Sequence, residues 1–163
     1  MNKKNTAMII VFAIIVIATL ISHLTMLRLD RADSNISCTT SLINYGDNNR
    51  LYENMTFNII PGNNSGTVYL TGVYTENDKK IGFIRRYIDF TYKKFGDAVY
   101  FTSVKIQKIQ RDDTLSDEIL ERITSDFLIK EDTSINFHLY RQNDYNYIFF
   151  TGKIPRFICF IQH

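Results

Sequence analysis

Two hydrophobic periodicities divide this chain. From Ala7 to Leu27 apolar residues run without a charge, densest from Met8 to Ile21. A helix rising about 1.5 Å per residue makes that stretch roughly 30 Å long, the thickness of a bilayer's hydrocarbon core. The pattern therefore predicts a cytoplasmic tail at 1–6, a transmembrane anchor at 7–27, a stem at 28–35 and a domain at 36–163. From Ile36 onward the period changes to two. Met55, Phe57 and Ile59 alternate with Asn54, Thr56 and Asn58, and Ile135, Phe137 and Leu139 with Asn136, His138 and Tyr140. That is the pattern of half-buried strands.

The alternation and its interruptions predict eight strands, Ile36–Tyr45, Leu51–Ile60, Thr67–Thr75, Ile81–Tyr92, Val99–Gln110, Ser134–Gln142, Tyr145–Thr151 and Pro155–Ile161. Turn clusters separate them: Gly46 to Asn49, Pro61 to Gly66, Glu76 to Lys79, Gly96-Asp97, Asn143-Asp144 and Gly152-Lys153. The apolar parity shifts between Phe101 and Val104, as a bulge would make it. Helix spacing is confined to Ser116 to Phe127, where Ile119, Leu120, Ile123 and Phe127 share a face behind a Thr114 or Ser116 cap. Short strands at regular intervals define a mainly β domain, a sandwich or a barrel.

Charge bears on topology and partners. The formal net charge is +2, but Lys3 and Lys4 precede the anchor. Without them 17 basic residues stand against 17 acidic ones. A neutral domain lacks the basic footprint of nucleic-acid binding, so no direct contact with nucleic acid is expected. Basic residues flank the apolar run on both sides, with Arg28 and Arg31 after it. The short tail and its uninterrupted Lys pair favour the N-terminus inside and the domain outside. The run also reads as a cleaved secretory signal, although no small-x-small site follows it cleanly. Both of these readings export the domain; a buried core helix is the remaining alternative.

In an oxidising compartment Cys38 and Cys159 form a disulfide; in a reducing one they are two buried thiols. The bridge would set the first strand beside the last, which favours a barrel over a sandwich. The expected architecture is thus a small antiparallel barrel, closed or left incomplete, with one helix packed on it. Reactive chemistry is sparse. Asp112-Asp113 and Asp117 lack a calcium loop and read as a solvated turn. His23, His138 and His163 do not group as metal ligands. No nucleophile–base pair can be assembled, so neither enzyme nor cofactor is expected. Arg86 is the exception: with Ile84, Ile88, Phe90 and Tyr92 its parity points inward, where it either snorkels out or contacts an anionic ligand or a partner.

Several segments in fixed order resemble a known family. They are Cys38-Thr-Thr-Ser41, Ser65 to Gly72, Lys80 to Arg86, Arg111-Asp-Asp113, Ser125-Asp-Phe127 and Phe149 to Pro155 with Cys159 near the end. The order is similar to that of the FidL-like membrane proteins of enteric bacteria, YqeJ-type members included. The resemblance implies a single-pass inner-membrane protein encoded beside a membrane-anchored winged-helix transcription regulator of the ToxR or CadC kind. By analogy with ToxS and VtrC, it implies a lipocalin-like periplasmic barrel that pairs with the regulator's periplasmic segment. Some of those analogues bind bile salts, which makes bile salts one expected signal. The alternative is a stand-alone anchored binder of a small apolar ligand.

Overall fold

The computed structural model of the chain describes residues 12–22, 35–142 and 145–162. The chain divides between Ser34 and Asn35 into two units. In the first, residues 12–22 form helix α1. Its Phe12, Ile14, Ile15, Ile17, Leu20 and Ile21 are exposed and, at 100° per residue, spread around the whole circumference. Thr19 Oγ1 bonds back to the carbonyls of Ile15 (3.1 Å) and Val16 (2.9 Å), so this hydroxyl is satisfied within the helix. Among the described residues no helix is long and apolar enough to cross a membrane. The two ends of the expected 7–27 anchor, His23, the tail 1–6, residues 28–34, Asn143-Asp144 and His163 lie outside the described residues.

The second unit is an eight-stranded antiparallel barrel closed in sequence order. Its strands are β1 (Ile36–Tyr45), β2 (Asn49–Ile60), β3 (Ser65–Glu76), β4 (Lys79–Phe95), β5 (Ala98–Lys108), β6 (Ser134–Arg141), β7 (Asn146–Thr151) and β8 (Ile154–Ile161). Period-two alternation selects the inner face. Leu51, Met55, Phe57 and Ile59 of β2, Val68 and Leu70 of β3, and Ile84, Ile88, Phe90 and Tyr92 of β4 are all buried. With Phe101, Phe137, Phe149 and Phe157 they build a core of contacting rings, Phe149 and Phe157 stacked at 4.5 Å.

Local chemistry sets the turns. Asn77 (φ +49) and Asp78 (φ +60) make the two-residue left-handed turn between Glu76 and Lys79 that suits twisted strands. Gly96 turns β4 into β5 at φ +58, a conformation open to glycine at little cost. Phe90 pairs with Ser103 and Asp89 with Lys105, so Val104 is the extra residue of a bulge, as the parity shift predicts.

Between β5 and β6 the chain from Ile109 to Thr133 forms a plug across one end of the barrel. Thr114 stitches it to β4: its N donates to Phe83 O (2.9 Å) and its Oγ1 accepts from Phe83 N (3.0 Å). Ser103 Oγ holds its far end by donating to Lys130 O at 2.6 Å. The single helix expected over Ser116–Phe127 is not formed. Helix α2 covers Asp117–Leu120 alone, and the chain re-forms a 3-10 turn at Asp126–Leu128 after an extended Ser125 (φ −76, ψ 139). Thr124 and Ser125 are poor helix interiors. The break also lets Leu120 and then Phe127, Leu128 and Ile129 all reach the core.

Candidate functional site at the barrel seam

The barrel closes where its first and last strands meet, and the closure is short. Among the described residues β1 and β8 pair at Cys38↔Ile161 and Thr39↔Phe160. Gln162 adds two bonds beside them, N to Ser37 O (3.0 Å) and Nε2 to Thr39 Oγ1 (2.8 Å). The disulfide Cys38–Cys159, expected from the sequence, clamps this end from inside with both residues fully buried. Beyond Thr39 the ladder stops. Thr40–Tyr45 of β1 and Ile154–Cys159 of β8 flank a seam without pairing across it. The barrel that the sequence left open to being incomplete is therefore closed, but by a narrow strip.

A cavity of about 480 Å³ opens at the wide end of the seam, under the plug. Apolar side chains dominate its lining, among them Leu42, Met55, Phe57, Phe127, Phe137 and Phe157. Its size is ordinary for a small-molecule site. Arg156 lines it from β8 and is exposed. Glu53 lines it from β2 and is 2% exposed. Asn44 Nδ2 donates to Glu53 Oε2 at 3.0 Å, while Oε1 is buried with no hydrogen-bond partner. Burial raises the Glu53 carboxyl to about 7, with Thr124 and Asn44 pulling the other way. Thr124 thus stands near enough to favour the charge without making an aligned bond to Oε1.

Arg86 is outside the cavity lining, where β4 meets Asp113 and Asp117 of the plug. Its parity reading holds: the side chain points inward and is fully buried. It does not snorkel, because two carboxylates of the plug meet it. Nε donates to Asp113 Oδ2 (2.7 Å) and Nη2 to Oδ1 (3.0 Å), a bidentate fork. Nη1 lies 2.9 Å from Asp117 Oδ1 as an ion pair outside hydrogen-bond alignment. Lys108 Nζ takes the other Asp117 oxygen at 2.6 Å. Burial works against the Arg86 charge, but Asp113 and Asp117 outweigh it and hold its pKa above the ordinary value. Burial likewise opposes the Asp117 carboxylate, and Lys108 with Arg86 holds it below its ordinary range. The solvated turn expected at Asp112-Asp113 is thus corrected: the Asp113 side chain is 1% exposed and is the counter-ion of Arg86. The acidic turn is a clasp holding the plug to β4. Among the described residues no three His, Cys, Asp or Glu side chains converge as a metal site.

Glu53 escaped the sequence reading, although a signal was present. Extending the inward parity of Met55, Phe57 and Ile59 back by one step places Glu53 inside, next to inward Leu51. Asp113 carried no such signal, since its burial depends on an arginine 27 positions away.

By architecture this is a disulfide-clamped antiparallel β-barrel with a lateral, mostly apolar chamber. The chain belongs to the YqeJ C-terminal domain family, which it matches over residues 35–159. That match begins where the second unit begins and ends at the second cysteine of the bridge. The chain is also 26% identical over 152 residues to the uncharacterized protein YqeJ of Escherichia coli (strain K12), covering 93% of this chain and 92% of that protein.

Proposed function

We propose that this chain is a single-pass inner-membrane accessory protein with its N-terminus in the cytoplasm. Its lipocalin-like barrel faces the periplasm and pairs with the periplasmic segment of a ToxR/CadC-like winged-helix regulator. Together they sense an envelope or gut signal, bile salts among the candidates. The observation that carries this reading is the seam. Two strand edges end their mutual pairing at Thr39, and such edges present unused backbone donors and acceptors to an incoming strand. Exposed apolar side chains flank the seam outside, Ile43 and Tyr45 on β1 and Ile154, Ile158 and Phe160 on β8. The apolar circumference of α1 supports the anchor, and the Cys38–Cys159 bridge supports an oxidising compartment.

Co-expression of the full chain with a tagged one-pass regulator from the same genome tests the pairing. The two proteins are expected to copurify, and Ile43→Lys with Ile158→Lys is expected to abolish recovery without unfolding the barrel. Two folded proteins that fail to associate would sink the proposal. The cavity separately favours a second reading, a ligand-binding barrel that works without a partner.

A further inference from the structure

The chamber is mostly apolar, and one acidic side chain in its wall, Glu53, has an oxygen without an aligned donor. Glu53 sits between inward Leu51 and inward Met55, where an aliphatic residue would pack without a desolvation cost. Buried polar atoms in folded proteins are almost always bonded, so an acceptor left without an aligned donor in a cavity wall marks a place where a donor belongs. Asn44 occupies Oε2, while Oε1 is buried in the wall of the chamber lined by Phe57, Phe127, Phe137 and Phe157, with Thr124 nearby but making no aligned bond.

The polarity along the chamber has a direction. The acidic group lies at depth, whereas Arg156, the one cationic lining residue among the described residues, is exposed. A molecule entering with an anion first would set that anion against Glu53. One entering with a donor first would complete the carboxylate and bury its apolar body on the aromatic rings. We infer that the seam cavity binds a small amphiphile donor-end first, its ammonium or hydroxyl group seated on Glu53 Oε1 and its apolar body against the phenylalanines. This rests on the reading of the cavity as a ligand site and does not depend on the pairing with a regulator.

The ammonium is the stronger form of that donor, because a charge-assisted bond is about twice as strong as a neutral one. Its binding follows the ionisation of Glu53. From β1 the carboxyl faces Asn44 and from the plug Thr124, while Arg156 of β8 lines the same cavity; among the described residues no other titratable side chain lines it. Burial lifts Glu53 to about 7, so the site gains its negative charge across neutral pH.

Matched probes test the inference on the full chain in phosphatidylcholine nanodiscs by titration calorimetry: adamantane-methylamine, adamantane-methanol and adamantane-carboxylate. At pH 8 the amine is expected to bind most tightly, the alcohol next and the carboxylate least. Lowering the pH to 6 is expected to weaken the amine about tenfold, as the ionised fraction of Glu53 falls by that factor while the amine stays protonated. Glu53→Gln should weaken the amine by at least about tenfold at pH 8 and leave the carboxylate unchanged or tighter. If that variant does not fold, the pH arm on the unaltered chain still decides. Binding in the reverse order, or an amine affinity flat from pH 6 to 8, overturns this inference and leaves the ligand-site reading standing. No binding of any probe overturns both.

Discussion

Replacing Arg86 with methionine tests whether the clasp holds the plug. The substitution keeps an unbranched side chain in the barrel and removes the guanidinium, leaving the Asp113 carboxylate with 1% exposure and without its 2.7 and 3.0 Å bonds. What remains to Asp113 is the backbone N of Arg85 at 3.2 Å. Asp117 is better placed, 38% exposed and still held by Lys108. Nearly all of the cost therefore falls on Asp113, and breaking a buried pair from one side costs about 3–5 kcal/mol. In a barrel of this size that lowers the melting temperature by roughly 10–20 °C. The assay is urea unfolding of residues 35–163 with the disulfide intact, followed by far-ultraviolet circular dichroism. Arg86→Met and Asp113→Leu are measured singly and together. The double variant is expected within about 2 kcal/mol of the parent, since an apolar pair can replace a buried ion pair. Asp117→Asn, at a half-exposed position where Lys108 already holds the other oxygen, should cost about 1 kcal/mol, less than the loss of Asp113. Single losses below about 1 kcal/mol, or singles that simply add in the double, would refute the clasp.

Glu53→Gln should alter the pH dependence of stability. With the folded carboxyl near 7 and the unfolded one near 4.5, the native barrel holds a proton that the unfolded chain releases between those values. The stabilisation from this group is full below about 4.5, falls as pH rises and is gone above about 7. The Gln variant should therefore gain on the parent by up to about 3 kcal/mol between pH 4.5 and pH 8 in urea midpoints, and no relative gain would place Glu53 in water. Cys38→Ser with Cys159→Ser should lower stability by up to about 4–5 kcal/mol on the chain-entropy account for a separation of 121 residues, read from the same unfolding curves. Unchanged midpoints would show that the bridge adds nothing to the seam's closure.

The parts of the fold written in nearest-neighbour chemistry were legible beforehand. Alternation located the eight strands to within a few residues, and β1 was bounded at Ile36 and Tyr45 as expected. The inward facing of Arg86 followed from parity, and the Val104 bulge from a break in it. What the sequence hid depends on chain segments meeting in space. Asp112-Asp113 has the composition of a turn, and only β4 behind it makes Asp113 a buried ion. Ser116–Phe127 has helical spacing, but the barrel end rewards a broken path that inserts Leu120 and Phe127 separately. The cavity is a product of where β1 and β8 cease to pair, which no local pattern encodes.

The meander also orders events in time for a chain made from its N-terminus. Seven of the eight ladders join strands that are consecutive along the chain, so each can zip as its second strand emerges. The eighth cannot. β1 is synthesised first and finds β8 last, with Cys38 thiol and free strand edge both exposed throughout that interval. The nascent barrel is then an open, sticky ribbon whose free edge invites aggregation. A factor that shields this edge would therefore act on β1 before β8 is made, whereas the Cys38–Cys159 bond can form only after Cys159 is made.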